Sequence, residues 1–342
     1  MEQRRTEIAE VGEFGLIDRI RGKAHVSQPS TMKGIGDDAA VIDAGDEVLL
    51  LSTDLLVEGV HFDLSYMPLQ HLGYKAVAAN VSDIAAMNGR PEQIVVGLAV
   101  SNRFSVEAVE TLYAGIRAAC ENYKVDLVGG DTTASTSGLM ISISILGRVR
   151  KGQEVYRSGA ADKDIICVTG DLGGAYIGLQ ILEREKAVYL ANPNMQPELE
   201  KYEYCVSRQL KPEARMDIVY ELAELGIHPT SMIDVSDGLA SELFHLSRNS
   251  HVGVRIFEDK IPIDQEAYTT AVEFKLDPFT AALNGGEDYE LLFTIRQADF
   301  EKIKNHQDIH FIGYIHADPN ENVLITKNGN VVPLQAQGWT HY

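Results

Sequence analysis

Cysteine, tryptophan and clustered basic residues are scarce in this 342-residue chain, and each scarcity narrows what it can do. The three cysteines, Cys120, Cys167 and Cys205, lie far apart with no C-x-x-C spacing, which argues against a thiolate zinc site or a disulfide framework and fits a reducing compartment. No segment approaches the ~18 consecutive apolar residues of a membrane span. Met1-Glu2-Gln3-Arg4-Arg5 runs into acidic residues and not into an apolar signal core, so a cytoplasmic protein with no membrane partner is expected. Thirty Lys and Arg against fifty Asp and Glu leave a formal net charge of −20. With no basic cluster to offset that charge, nucleic acid is not an expected partner, and a phosphate ligand must arrive with counter-cations. The P-loop pattern G-x-x-x-x-G-K-[ST] is missing, as are H-E-x-x-H and G-x-S-x-G. Gly34-Ile35-Gly36-Asp37-Asp38-Ala39 matches G-x-G-x-x-G/A, but the polar Ser30-Thr31-Met32-Lys33 precedes it and the strand-like Val41-Ile42 follows. The strand-then-helix setting of a dinucleotide fold is therefore lacking, and two carboxylates there would repel a pyrophosphate without metal.

What the chain does have is apolar runs that lead into aspartates. Glu47–Ser52 reads as a buried strand ending at Thr53-Asp54; Val125–Val128 stops at Gly129-Gly130-Asp131; Ile165–Thr169 stops at Gly170-Asp171; Ser231–Ile233 stops at Asp234-Val235-Ser236-Asp237-Gly238. Helices are expected over 69–87, closed by Asn88-Gly89, and over 105–122, with Ser105 as N-cap and Val109, Leu112, Ile116 and Ala119 on one face. Residues 139–147 alternate strictly, a strand with one apolar face and one face of serines, suited to an inner barrel wall or a subunit contact. Gly152–Ala161 is a polar connection, which places a domain boundary near residue 150: two domains, 1–150 and 151–342. The second reads as strands at 164–169, 229–233, 252–257, 290–295 and 309–314 with helices around 173–185, 213–225, 239–249 and 297–304. It ends in a hairpin with a type I′ turn at Asn328-Gly329. Alternating helices and strands favour α/β or α+β architecture in both halves.

The carboxylates in glycine-flanked or strand-end settings are Asp37, Asp38, Asp54, Asp83, Asp131, Asp171, Asp234, Asp237, Glu287 and Asp288. Any one of them, read alone, is an Asx-turn or a helix cap. Together they are hard to explain as independent caps, because few have a Lys or Arg nearby in sequence and an unpaired buried carboxylate costs several kcal/mol. Such groups want a cation. Magnesium takes oxygen ligands and bridges a few carboxylates to substrate phosphates, and ligands of α/β proteins gather at strand carboxyl ends.

The ordered set Gly-Ile-Gly-Asp-Asp-Ala (34–39), Ser-Thr-Asp (52–54), Glu-Gly-Val-His-Phe (58–62), Asn-Val-Ser-Asp-Ile-Ala-Ala-Met (80–87), Gly-Gly-Asp-Thr-Thr (129–133), Asp-Val-Ser-Asp-Gly-Leu (234–239) and Gly-Gly-Glu-Asp-Tyr-Glu-Leu (285–291) closely resembles the thiamine-monophosphate kinase family. That family lies in the ATP-binding superfamily of aminoimidazole ribonucleotide synthetase and selenophosphate synthetase. The resemblance implies transfer of the γ-phosphoryl group of ATP to thiamine monophosphate (TMP), with several Mg2+ ions. It implies a two-domain aminoimidazole ribonucleotide synthetase-like fold, a homodimer whose N-terminal halves pair into a β-barrel, and a C-terminal α/β half closing over the nucleotide. It places metal ligands at Asp38, Ser52, Thr53, Asp54, Asp83, Asp131, Asp234 and Asp237, ATP contacts at Tyr113, Gly130, Asp131, Arg157 and Ser236, and substrate contacts at His61, Glu287 and Trp339. Read without it, His61 and Tyr113 are equally core residues, Arg157 a surface arginine and Trp339 a packing anchor. No general base or covalent nucleophile is expected. Two other readings stay open: another ATP-dependent member of the superfamily, and a non-enzymatic acidic cation-binding protein. A selenophosphate synthetase needs a reactive Cys or selenocysteine near the N-terminus, whereas the first cysteine here is Cys120.

Overall fold

The computed structural model describes residues 8–336. Trp339 lies outside the described residues. Helix α1 (Gly12–Arg21) precedes a six-stranded sheet built from β1 (Thr31–Lys33), β2 (Ala40–Asp43), β3 (Glu47–Val57), β4 (Arg90–Val100), β5 (Asp126–Ala134) and β6 (Leu139–Arg150), in the order β1-β2-β3-β6-β4-β5. Within this sheet, among the described residues, only β4 and β5 pair in parallel. Helix α2 (Leu69–Ala86) joins β3 to β4, and α3 (Val106–Tyr123) joins β4 to β5. In the second half, β7 (Ile165–Thr169), β8 (Ser231–Asp234), β9 (Gly253–Phe257), β10 (Leu291–Ile295), β11 (Ile309–His316), β12 (Asn322–Ile325) and β13 (Val331–Pro333) form a seven-stranded sheet in the order β13-β12-β9-β11-β7-β10-β8. Helices α4 (Gly174–Ala191), α5 (Glu203–Leu210), α6 (Met216–Glu224), α7 (Leu239–Ser250), α8 (Gln265–Glu273), α9 (Pro278–Asn284) and α10 (Phe300–Ile303) complete it. The mixed helix and strand content is as expected.

Helix α2 joins the two halves. Fourteen of its eighteen residues are buried, so it has no solvated face and must be covered all round. It packs on β3 and β6 of the first sheet, on α3, and on β8 of the second. Its crossing with α3 depends on glycines on both helices: a Cβ on Gly73 would stand 2.1 Å from the Leu112 carbonyl oxygen, and one on Gly115 1.8 Å from that of Gln70. One hydrophobic cluster runs from Val41, Leu50, Val77 and Ile145 into Cys167, Ile181, Met232 and Phe293, so the two sheets share apolar contact.

Four local expectations hold at the residue level. Asn88 adopts φ 58° just past α2, and the Gly89 amide donates to Ile84. The Ser105 hydroxyl accepts from the Ala108 amide at 3.3 Å and caps α3, whose Leu112, Ile116 and Ala119 are buried. Strand β6 alternates buried Leu139, Ile141, Ile143 and Ile145 with half-buried Met140, Ser142, Ser144 and Leu146. The loop 34–39 connects two antiparallel strands, β1 and β2, which is no dinucleotide turn.

Others are corrected. Strand β3 does not stop at Ser52 but continues to Val57, because all eleven of its residues ladder against β6 and so satisfy the backbone through the polar Ser52-Thr53-Asp54. Strand β5 likewise runs through Gly129-Gly130-Asp131 to Ala134, paired with β4. Asp54 and Asp131 therefore lie within strands; Asp171 and Asp234 do sit at strand ends. The turn at 328–329 is not type I′: Gly329 has φ 79°, but Asn328 is not left-handed, and Gly329 donates to Thr326 in a longer loop closed by Thr326 and Asn330. Strand β4 and helices α5, α8 and α9 carry no expectation; β4 opens with Arg90-Pro91-Glu92-Gln93, which hides the apolar run behind it, and the three helices are seven to nine residues long.

Candidate metal and phosphate site

Where α2 meets β8, three carboxylates from distant parts of the sequence converge. Asp38 comes from the β1–β2 loop, Asp83 from the last turn of α2 and Asp234 from the carboxyl end of β8; one oxygen of each lies within 4.8 Å of the others. Strand alternation turns Ser52 and Asp54 toward the same group. The Ser52 hydroxyl donates to Asp83 Oδ2 at 2.6 Å, and Ser82, beside Asp83 on α2, donates to Asp234 Oδ2 at 2.7 Å. Among the described residues the one cation bonded to the trio is Arg157, from the 150–164 connection, whose Nη2 and Nε donate to Asp38 Oδ1 at 2.6 and 3.2 Å. Its backbone amide donates to Asp37 Oδ1 at 2.8 Å, and Lys33 Nζ stands 3.0 Å from Asp37 Oδ2.

The electrostatics are unfavourable without a further cation. Burial, then the carboxylates of Asp54, Asp234 and Asp38, raise Asp83 well above the carboxylate range. Burial first and Asp38 second push Asp234 up to about 7, and burial pushes Asp54 up to about 6. Asp38 is also raised, because burial outweighs the Arg157 charge. Its Oδ2 is buried with no hydrogen-bond partner among the described residues. An orphaned, buried carboxylate oxygen among further oxygens suits a hard divalent cation; Asp38, Ser52, Asp54, Asp83 and Asp234 are the residues that could hold one.

Stability should report on this. A carboxylate raised in the folded state binds a proton that the unfolded chain has lost, so the metal-free fold loses stability as pH rises from about 4 to about 7. Magnesium competes with those protons. The Mg2+-induced rise in Tm over an EDTA control is therefore expected to be larger at about pH 8 than at about pH 5.5. Scanning calorimetry at the two pH values checks it; an equal increment, or none, would contradict a site made of these groups.

The other expected residues are placed as follows. Thr53 faces away from Ser52 and Asp54: its hydroxyl donates to the Ile143 carbonyl and accepts from Ser144, so only its backbone lies with the cluster. The Asp237 amide donates to Glu242 Oε1 at 2.9 Å. Glu242, buried in the first turn of α7, is raised by burial and then by Asp237, and carries no expectation from the sequence. The Ser236 carbonyl accepts from the Glu287 amide, and both Glu287 oxygens are engaged, by Lys75 and Gln209. Of the partners of Glu287, Lys75 gave no sequence signal beyond its presence on an apolar helix. Asp131 is exposed on β5, and neighbouring Gly130 packs so closely that a Cβ would stand 2.1 Å from the Val96 oxygen. His61 Nδ1 accepts from the Val57 amide at 3.0 Å just after β3, and Tyr113 lies half-buried on α3 against the core. Among the described residues no contact joins Asp131, Gly130 or Tyr113 to the carboxylate trio. Asp288 and Asp171, suspected from sequence, bond elsewhere: Asp288 accepts from the Gly173 and Ala175 amides at the start of α4, and Asp171 Oδ2 accepts from the Tyr204 hydroxyl while its Oδ1 is buried with no partner among the described residues.

Residues 36–149 match the family model for the AIR synthase related protein, N-terminal domain, and residues 163–325 that for the corresponding C-terminal domain. The thiamine-monophosphate kinase of Bacillus subtilis (strain 168) is 33% identical over 341 residues, covering 96% of this chain and 99% of that protein. That of Escherichia coli (strain K12) is also 33% identical, covering 97% and 98%. Among solved structures, AaThiL complexed with AMPPCP and TMP superposes with a TM-score of 0.83 at 32% identity, covering 99% of this chain and all of that one. The thiamine-monophosphate kinase from Stenotrophomonas maltophilia K279a gives 0.71 at 31% identity, covering 93% and 96%. With two AIR synthase-like domains and relatives of this kind matched along nearly the whole chain, the protein belongs to the thiamine-monophosphate kinase family.

Proposed function

We propose that the protein is an ATP-dependent kinase that phosphorylates TMP to thiamine diphosphate with Mg2+, by direct in-line transfer. The observation that carries this is the trio of carboxylates, Asp38 and Asp234 buried and Asp83 half-buried, with an orphaned oxygen, held on three separate elements beside one arginine. Bound magnesium would supply charge neutralisation for two polyanions that otherwise repel, and a template for their alignment. Asp38, Ser52, Asp54, Asp83 and Asp234 hold the cations, with Thr53, Asp131 and Asp237 as further ligands; Arg157 adds a fixed positive charge for the phosphates, tied to the cluster through Asp38. Tyr113, Gly130 and Ser236 are assigned to ATP, and His61, Glu287 and Trp339 to TMP. The acceptor is a phosphate monoester with a second pKa of about 6, largely dianionic at neutral pH, so no general base has to remove a proton.

A covalent intermediate finds no support in the cysteines. All three are buried, and burial raises Cys120 to about 11, Cys205 to about 12 and Cys167 well beyond the thiol range. Direct transfer therefore predicts inversion of configuration at a chirally labelled γ-phosphorus. Retention, or label trapped on the protein with ATP alone, would mean two displacements and a phospho-enzyme.

We assign residues 1–150 to ATP and metal binding and to dimer formation, and 151–342 to closure over the nucleotide; the two sheets, which use residues 31–150 and 165–333, support that division. A homodimer through the first sheet is supported by the face opposite α2, where Leu51, Leu55 and Val95 are 41–50% exposed, continuing to Val128 on β5 at 59%. Among the described residues no helix is long and apolar enough to cross a membrane, and the unpaired cysteines suit the cytoplasm. ADP release measured with TMP tests the activity: release that needs both TMP and Mg2+ is expected. Mg2+ binding without release would favour a cation-binding protein, and release with a different acceptor another member of the superfamily.

A further inference from the structure

The segment Gly285–Tyr289 is held in an unusual backbone course. Glu287 and Tyr289 both have left-handed φ, 66° and 52°, a region that side chains with a Cβ adopt at a cost of about 1–3 kcal/mol and that persists only where the surroundings impose it. The impositions are visible. The Glu287 and Tyr289 amides donate to the Ser236 and Val235 carbonyls of the loop that follows Asp234, and Asp288 caps α4. The Glu287 side chain is then pinned at both oxygens. Lys75 Nζ, on α2, stands 2.9 Å from Oε1, and Gln209 Nε2, on α5, donates to Oε2 at 2.7 Å. Lys75 also donates to the main-chain carbonyl of Gln209 at 3.1 Å, so the three residues form one closed group.

Lys75 is 1% exposed, while Glu287 keeps 30% of its side chain open. Stability is a poor explanation of that pair, because an apolar residue at 75 would avoid the desolvation of an ammonium. Each carboxylate oxygen retains lone pairs after the two contacts, so Glu287 can still accept from a ligand on its open side. Its charge lies within electrostatic reach of Tyr289, which also feels Asp54, Asp83 and Asp234, so the group borders the carboxylate cluster.

We propose that Lys75 and Gln209 are positioning residues that aim the Glu287 carboxylate at the acceptor substrate and offset its charge beside the acidic cluster. The partner that such a carboxylate recognises is a cationic or amino-bearing ring, the chemistry of the thiazolium and aminopyrimidine of TMP. This rests on the reading that Glu287 contacts the acceptor.

The test compares Lys75→Met, Lys75→Arg, Gln209→Leu and Glu287→Gln in the full-length enzyme, with KM for TMP, KM for ATP and Tm measured on each. Lys75→Met is expected to raise KM for TMP about tenfold or more with KM for ATP changed less than about twofold, and Lys75→Arg to recover part of the loss. Gln209→Leu removes no charge and should raise KM for TMP about threefold, which keeps the question decidable should Lys75→Met fail to fold. Parallel rises in both KM values, or a lower Tm with KM for TMP unchanged, would reduce the group to a structural tie and overturn the proposal. Glu287→Gln separates the two readings. If it leaves KM for TMP unaltered, the substrate contact at Glu287 fails and the positioning role with it; if it raises KM while Lys75→Met and Gln209→Leu do not, the positioning role alone fails.

Discussion

Replacing Asp83 by Asn is expected to lower turnover by about a hundredfold or more and, in the absence of divalent cation, to make the protein more stable than the parent. The two effects have one cause. Burial and three neighbouring carboxylates disfavour Asp83 as an anion, so the metal-free fold carries it at a cost that a neutral amide removes. The amide keeps the shape and can still meet the Ser52 hydroxyl, which now donates to Asp83 Oδ2. It cannot supply the negative charge that holds a divalent cation. Turnover at saturating Mg2+, and Tm in EDTA, measure the two effects. Activity near the parent level would remove Asp83 from the site, and a large drop in Tm would show that it is a structural residue whose burial the fold needs.

The second large effect is expected at Arg157. Among the described residues its guanidinium is the only cation bonded to Asp38, and its backbone amide also serves Asp37. Arg157→Met leaves that amide in place and deletes the charge, so Asp38 must stay buried uncompensated or take up a proton. Breaking a buried pair by removing one partner costs about 3–5 kcal/mol. Stability in EDTA should fall by about that amount, and Mg2+ should return part of it, since a divalent cation near Asp38 replaces the lost charge. Asp38→Asn in the same background should also recover stability, because it deletes the unpaired partner. Denaturant midpoints of the parent, the single and the double variant, each with and without Mg2+, decide it. A single variant as stable as the parent in EDTA would mean that the pair is a solvated contact with no bearing on the cluster.

Local signals were legible where a residue acts on its own neighbours. Ser105 before an amphipathic run, Asn88-Gly89 after one, and alternation through 139–147 each reflect interactions that span a few residues, and the structure keeps all three. Strand ends were misread at β3 and β5 because the partner strands β6 and β4, far off in sequence, extend the ladder past polar residues that would stop an isolated strand. The turn at 328–329 failed for a related reason: the dipeptide allows a left-handed pair, but the bonds between Thr326 and Asn330 select a longer loop.

Composition and spacing alone show a chain rich in carboxylates set among apolar residues and poor in cations to pair with them. That imbalance points to a divalent metal, since an unpaired buried charge must be neutralised by something. Which carboxylates share a cation was decided only by the tertiary structure. Asp38, Asp83 and Asp234 are separated by up to nearly two hundred positions and meet because α2, buried on every side, packs against β8. Elsewhere the fold leaves Asp131 on an exposed strand, gives Asp288 and one oxygen of Asp171 to hydrogen bonds, and brings in Arg157 and Lys75 from segments with no acidic motif of their own. The physical reason is range: caps and periodicity act over a few residues along the chain, whereas charge and desolvation act through space, and only the fold sets those distances.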